Sequence, residues 1–159
     1  MEPNNKFYLK VDNLHTICVK EYGNYNGIPL LISHGLGITT SKSTLDIIDM
    51  NHFRVITVDQ RGCGESTPLG EIKQNNISLI VGDFERIRKQ LSIQKWHILG
   101  NSWGSTLALY YAIHYTEVIL SLTLSGVCLM RDIDVDWGIY TSRSHFPDYC
   151  EDVIKDVPQ

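Results

Sequence analysis

The chain has 159 residues, of which 43% are hydrophobic and 20% are charged, and its formal net charge at pH 7 is −4. A chain of this length can bury a sizeable core as one domain or as part of one. The acidic balance gives no basic face for nucleic acid or for an anionic membrane, and no run of about 18 apolar residues predicts a transmembrane helix. We therefore expect neither a nucleic-acid partner nor a membrane partner.

The N-terminal residues and the cysteines indicate the cellular compartment in which the protein is expected to reside. The first residues lack the basic start and apolar segment of a secretory signal. The four cysteines, at positions 18, 63, 128 and 150, are widely scattered and include no Cys-x-x-Cys pair. Reduced thiols in a cytoplasmic protein are the simplest interpretation. We predict no metal and no cofactor.

Strand-like and helix-like segments alternate along the chain. Short segments at residues 7–11 and 14–19 predict a β-hairpin. Apolar runs that predict buried strands lie at 29–33, at 54–58, directly before Gly100 and at 118–124. Helices are predicted at 43–50, at 77–91 and from Ser102 to about residue 115. This order predicts an α/β fold, with a mostly parallel sheet and helices on both faces.

The sequence Gly-Asn-Ser-Trp-Gly at positions 100–104 stands between an apolar run and a helix. Strand, tight turn and helix are the context in which Gly-x-Ser-x-Gly forms a nucleophile elbow. Ser102 is therefore the predicted nucleophile, and Gly100 and Gly104 leave room for the chain that passes close to it. The backbone N–H of Trp103 is a predicted oxyanion donor. The alternative is that Ser102 is an ordinary helix N-cap.

The loop that follows the strand at 54–58 carries a family resemblance. Its sequence is Asp-Gln-Arg-Gly-Cys-Gly at 59–64, followed by Ser-Thr-Pro at 66–68. In these residues the chain resembles the N-terminal half of the proline iminopeptidases (prolyl aminopeptidases), which are serine peptidases of the α/β-hydrolase fold. Further matches are the segment leading into the elbow strand at 86–96, the elbow and its helix at 102–109, and Phe-Pro-Asp at 146–148. The resemblance covers about residues 14–153.

The resemblance implies an activity and a domain organisation. The activity is release of N-terminal proline from a peptide substrate, through an acyl-enzyme on Ser102. Residues 1–130 would form a partial α/β-hydrolase core, and residues 131–159 would begin a helical cap whose remainder is absent from the chain. In α/β hydrolases the catalytic acid and the histidine follow the serine in the chain, and in this family they lie beyond the cap.

The sequence ends at Gln159, so the triad acid and the histidine are expected to be absent from it. A serine hydroxyl without a base is a poor nucleophile at neutral pH, and the isolated chain is expected to be inactive. A sheet ended at its sixth strand would also expose an unpaired edge, which predicts aggregation. Two alternatives remain beside the peptidase: another α/β hydrolase such as an esterase, and a non-catalytic truncated remnant.

Two positions depart from the family pattern. The family usually has His-Gly-Gly-Pro-Gly after the third strand, whereas this chain has His-Gly-Leu-Gly-Ile at 34–38. The resemblance implies that this loop supplies the second oxyanion donor, a backbone N–H of Gly35 or Leu36. The substitutions are expected either to move that N–H or to crowd the pocket with Leu36. The second departure is Asn101, where the family has glycine, and asparagine tolerates unusual backbone angles.

The remaining reactive residue types have simpler interpretations. His114 lies about three turns along the helix from Ser102, too far to act as its base, and a makeshift pair of His145 and Asp148 is a minor alternative. Cys63 is predicted to be a packing residue. Arg61 and Glu65 are predicted to form a local ion pair. The acidic run at 132–136 is predicted to be a solvated loop rather than a metal site.

Overall fold

The computed structural model describes residues 1–148 and 151, and the chain forms two compact units, Met1–Val127 and Cys128–Gln159. In the first unit the strands are β1 (Asn5–Lys10), β2 (Thr16–Gly23), β3 (Ile28–Ser33), β4 (Phe53–Val58), β5 (Trp96–Asn101) and β6 (Ile119–Ser125), and the helices are α1 (Lys42–Asp46), α2 (Ile77–Gln90) and α3 (Trp103–His114). A short 3₁₀ helix, Thr116–Val118, leads into β6. The second unit contains α4 (Asp132–Ile139) and a 3₁₀ helix, Thr141–Ser144.

The six strands form one sheet in the order β1-β2-β4-β3-β5-β6. β1 pairs with β2, and β2 with β4, in antiparallel register, whereas the pairs β4–β3, β3–β5 and β5–β6 are parallel. Leu31 of the central strand β3 pairs with Ile56 on one side and with Ile98 on the other. The predicted fold class, a hairpin followed by a mostly parallel sheet with helices, is confirmed.

Both faces of the sheet are packed, which explains the continuous apolar runs of the central strands. Because successive side chains of a strand point to opposite faces, Leu31 joins the larger core under α2 and α3, while Leu30 and Ile32 join a smaller cluster with Leu45 of α1. The larger core also contains Phe84, Ile87, Leu107 and Tyr111, all almost fully buried.

Two local predictions were wrong. The helix predicted at 43–50 ends at Asp46, because the Asp49 carboxylate accepts a hydrogen bond from Asn51 N (3.0 Å) and holds a turn there instead. The acidic run predicted as a loop forms α4. The carboxylates of Asp132 and Asp134 lie in the first helical turn, where they interact favourably with the helix dipole, and Asp134 Oδ2 accepts a hydrogen bond from Arg131 N at 3.2 Å.

Within the described residues, no helix combines the length and the apolar character that crossing a bilayer requires.

Candidate active site

Ser102 occupies a sharp turn between β5 and α3. Its backbone angles are φ 53° and ψ −121°, a conformation that residues with a Cβ rarely adopt. The carbonyl of Ser125, the last residue of β6, accepts a hydrogen bond from Ser102 N (2.9 Å), and the hydroxyl of Ser105 donates to Ser102 O (2.6 Å). The side chain of Ser102 is exposed beyond the carboxyl end of the sheet. Several contacts therefore hold its backbone in the strained conformation.

The two glycines of the motif are required by close backbone contacts. A Cβ on Gly104 would lie 1.9 Å from the carbonyl oxygen of Ser33, and a Cβ on Gly100 would lie 2.6 Å from the carbonyl oxygen of Gly104. No side chain fits at either position. The first turn of α3 thus rests directly on the end of β3. Asn101 has no positive φ, so its tolerance of unusual angles is not needed.

The loop after β3 passes beside the serine. A Cβ built on Gly35 would lie 3.7 Å from Ser102 Cβ. The next residue, Leu36, keeps 73% of its surface exposed, and with Gln60, Ile80 and Trp103 it lines a cavity of about 320 Å³. The structure therefore brings together Ser102, Trp103, Gly35 and Leu36 at one edge of the sheet. Leu36 is exposed and borders the open cavity.

His34 is fully enclosed at the base of this loop. Its Nε2 accepts a hydrogen bond from the backbone N–H of Gln60 (3.1 Å), and its Nδ1 lies 2.7 Å from Gly35 O. Since a backbone N–H can only donate, Nε2 carries no proton, and Nδ1 is the donor to Gly35. Burial lowers the pKa of His34 below its ordinary value of 6.5. The ring is thus neutral and in one tautomer.

The lowered pKa of His34 predicts a loss of stability in acid. As pH falls below about 6.5, the unfolded chain takes up a proton that folded His34 resists, so the free energy of unfolding falls until the lowered folded pKa is reached. Urea unfolding at pH 8, 7, 6 and 5 is expected to show a steeper loss for the wild type than for His34→Gln, which lacks the titrating group. Parallel curves would contradict this assignment.

Arg61 and Glu65 do not pair with each other, contrary to the sequence-based prediction. Arg61 is 2% exposed and points toward α2, where its Nε and Nη2 donate to the Asp83 carboxylate at 2.6 and 2.9 Å. Its Nη1 donates to Asp12 Oδ2 (2.6 Å) in the β1–β2 turn and to the Gln74 carbonyl (2.6 Å). Burial opposes the charged form, but the two carboxylates outweigh it and raise the pKa of Arg61.

Glu65 instead belongs to a separate cluster of charged side chains beside the β1–β2 hairpin, together with Lys6, Lys20 and Asp59. Lys6 and Lys20 contact its carboxylate at 2.8 and 2.9 Å and lower the pKa of Glu65 to about 2. Lys20 also contacts buried Asp59 at 3.1 Å. Cys18, Asp59 and Glu65 could each offer one ligand atom to a cation, but the two ammonium groups of Lys6 and Lys20 already neutralise the two carboxylates.

Local contacts account for His114, and burial accounts for Cys63. His114 Nδ1 bonds to the Tyr110 carbonyl at 2.8 Å, and its ring stacks on that tyrosine at the far end of α3. Burial raises the pKa of Cys63, which keeps the thiol protonated. His145 and Asp148 lie in the second unit. Among the described residues, no hydrogen bond engages the Ser102 hydroxyl.

Sequence reasoning missed Gln60 as part of the site. Its amide Oε1 accepts from the Trp103 indole Nε1 (3.2 Å), and its Nε2 donates to His34 O (2.9 Å). The available signal was its position directly after a buried strand, at the edge where Ser102 was already predicted.

Residues 28–155 match the family model described as the alpha/beta hydrolase fold. The chain belongs to the α/β-hydrolase fold family.

Several of the proteins that this α/β hydrolase resembles carry the name proline iminopeptidase. A probable proline iminopeptidase of Leptolyngbya boryana is 38% identical over 152 residues, which cover 94% of this chain and 47% of that protein. The proline iminopeptidase of Neisseria gonorrhoeae is 37% identical over 137 residues, covering 86% and 44%. The crystal structure of the Mycobacterium smegmatis proline iminopeptidase superposes with a TM-score of 0.65 at 27% identity, covering 74% and 42%. The chain thus spans about half the length of the curated relatives it matches.

Proposed function

We propose that this chain carries the nucleophile half of a serine hydrolase of the proline iminopeptidase type, which acts on peptides with an N-terminal proline. The observation that supports this most directly is the strained, exposed Ser102 beside the Gly35 loop. The similarity to curated proline iminopeptidases adds the substrate class. A cytoplasmic location and residues 131–159 as the start of a helical cap belong to the same proposal.

In this mechanism the Ser102 hydroxyl oxygen attacks the carbonyl carbon of the N-terminal proline, and its proton passes to a base. The carbonyl oxygen becomes an oxyanion, which accepts hydrogen bonds from Trp103 N–H and from the N–H of Gly35 or Leu36. The N-terminus of α3 adds a favourable dipole. The base then donates this proton to the departing peptide nitrogen, and the tetrahedral intermediate collapses with release of the shortened peptide. Water, which loses a proton to the same base, hydrolyses the prolyl ester and frees proline and the Ser102 hydroxyl.

The base and its carboxylate are proposed to come from outside the described residues, because no side chain among those residues engages the Ser102 hydroxyl. In α/β hydrolases the acid and the histidine follow the serine in the chain. We therefore expect residues 1–159 alone to hydrolyse no prolyl substrate. Turnover by these residues alone would mean that they contain their own base.

The test measures hydrolysis of prolyl, alanyl and leucyl arylamides and of p-nitrophenyl acetate by the protein at its full natural length. The prolyl arylamide is expected to exceed the other arylamides in kcat/KM by at least about tenfold. A fluorophosphonate probe is expected to label Ser102, and Ser102→Ala should lose both labelling and turnover. Labelling with hydrolysis of the ester but of no arylamide would replace the peptidase proposal with an esterase.

A further inference from the structure

We infer that Gln60 is a positioning residue that joins the two proposed oxyanion donors into one unit, by linking Trp103 to the loop at His34 and Gly35. The inference rests on the proposed function, because it concerns how the oxyanion-binding groups of that site are held. It assigns a role to a side chain whose hydrogen bonds run to Trp103 and His34 rather than to Ser102.

The amide of Gln60 has one orientation. The Trp103 indole N–H can only donate, so the atom 3.2 Å from it is the oxygen Oε1. The NH₂ group therefore faces the other way, and Nε2 donates to the carbonyl of His34 at 2.9 Å. Gln60 is 3% exposed, so water does not compete for these bonds. One side chain thus holds two separate chain segments.

The backbone of Gln60 extends the link. Its N–H donates to His34 Nε2 (3.1 Å), which leaves the proton of the ring on Nδ1, and Nδ1–H donates to Gly35 O (2.7 Å). Gln60 Nε2 also lies 3.2 Å from His34 Nδ1, but both nitrogens carry hydrogens and do not bond. The result is a continuous series of hydrogen bonds from Trp103 through Gln60 and His34 to Gly35.

This series matters because the two oxyanion donors come from distant parts of the chain. One belongs to the first residue of α3, and the other to the loop after β3, whose tip at Leu36 and Gly37 is exposed. A donor must lie about 2.7–3.1 Å from the oxyanion to be effective, and a misplacement of about 1 Å can cost about 10²-fold in rate. Gln60, in the segment that follows β4, connects these two parts of the chain.

Glutamine suits this position because it both accepts and donates at the end of a chain of suitable length. Methionine has a similar length and neither function, so Gln60→Met removes the bonds while filling the space. Trp103→Phe removes the indole donor at the other end and retains the backbone N–H of residue 103. Exposed Gln94 offers a matched control, Gln94→Met, with the same chemical change on the surface.

The experiment uses the protein at its full natural length and a prolyl arylamide. Gln60→Met is expected to lower kcat by about 10- to 100-fold with KM within about twofold of the wild type. Affinity for the aldehyde analogue of proline, which forms an oxyanion on Ser102, should fall in the same proportion, whereas affinity for proline itself should not change. Gln94→Met should resemble the wild type in kcat, in KM and in its affinities for the aldehyde and for proline.

The variant pair keeps the inference testable even when Gln60→Met folds poorly. Trp103→Phe should then show the same selective loss in kcat and in aldehyde affinity. Where both variants fold, Gln60→Met with Trp103→Phe should lose little more than Gln60→Met alone, since both interrupt one series of bonds. Full activity in either single variant, or losses that add in the double variant, would overturn the inference.

Failure of the proposed function gives a different result. If the wild type hydrolyses no prolyl substrate but the fluorophosphonate labels Ser102, the specificity proposal fails. The rate of labelling then tests Gln60, because phosphonylation also develops an oxyanion. A slower rate in Gln60→Met than in Gln94→Met supports the inference, and equal rates overturn it. A wild-type protein that the probe does not label overturns both.

Discussion

Replacing Ser102 with glycine is expected to remove activity and to stabilise the fold in the same step. Activity is lost because no nucleophile remains; with a complete triad the expected loss in kcat is about 10⁶-fold. Stability rises because φ 53° with ψ −121° is strained for any residue that has a Cβ, at a cost of about 1–3 kcal/mol. Glycine adopts this conformation without the clash.

Ser102→Ala separates the two effects. It removes the hydroxyl and keeps the Cβ, so it should be equally inactive and remain strained. We expect Ser102→Gly to exceed Ser102→Ala by about 1 kcal/mol in the free energy of unfolding, measured in urea. Ala112→Gly, within α3, is the control at an ordinary helical position, where glycine should be less stable than alanine by about 0.5–1 kcal/mol. A glycine variant at position 102 that is less stable than the alanine variant would show that the turn is not strained.

Arg61→Met is expected to cost about 3–5 kcal/mol of stability, because it leaves the buried Asp83 carboxylate without its main partner. Arg61 and Asp83 are both at most 3% exposed at their side chains. Arg61 also joins the β1–β2 turn to α2 through Asp12 and the Gln74 carbonyl. Its removal should therefore loosen the loop that carries Gln60 as well as lower the midpoint of unfolding.

Arg86 provides a stringent control for Arg61. It contacts the same carboxylate, with Arg86 Nη1 2.8 Å from Asp83 Oδ1, but its side chain is 51% exposed. Arg86→Met should cost no more than about 1 kcal/mol, since exposed ion pairs are weak. Adding Asp83→Leu to Arg61→Met should restore part of the loss by removing the unpaired charge. Equal losses for the two arginine variants would show that burial does not decide the strength of these pairs.

The sheet and the position of the elbow were predictable because their signals are local. Apolar runs mark the parallel strands, and the contacts of Gly100 and Gly104 explain why the motif has those residues. The partners of Arg61 and Glu65 were not predictable in this way. Because the two residues are four positions apart in one loop, they were predicted to form an ion pair with each other. In the fold Arg61 instead pairs with Asp83 of α2, and Glu65 pairs with Lys6 and Lys20.

The proposed oxyanion site shows the same limit. Its residues stand after three parallel strands, whose carboxyl ends meet at one edge of the sheet, but the hydrogen bonds through Gln60 that join these segments depend on how the side chains pack. No spacing in the sequence indicates that the amide after β4 reaches an indole 43 positions later. Helix α4 was missed for a similar reason. An acidic run by itself indicates only solvent exposure, and acidic residues stabilise a helix only where they lie in its first turn, as in α4.

Positions at this edge of the molecule differ in how well they tolerate substitution, and the close contact between Gly104 and Ser33 marks the least tolerant part. Around that contact even one added carbon atom has no space, so a mutant library gains nothing from positions 100 and 104. Leu36 and Ile72, by contrast, border the cavity and are 73% and 84% exposed. Diversity concentrated at these two side chains would reshape the cavity while Ser102, the proposed nucleophile, keeps its place.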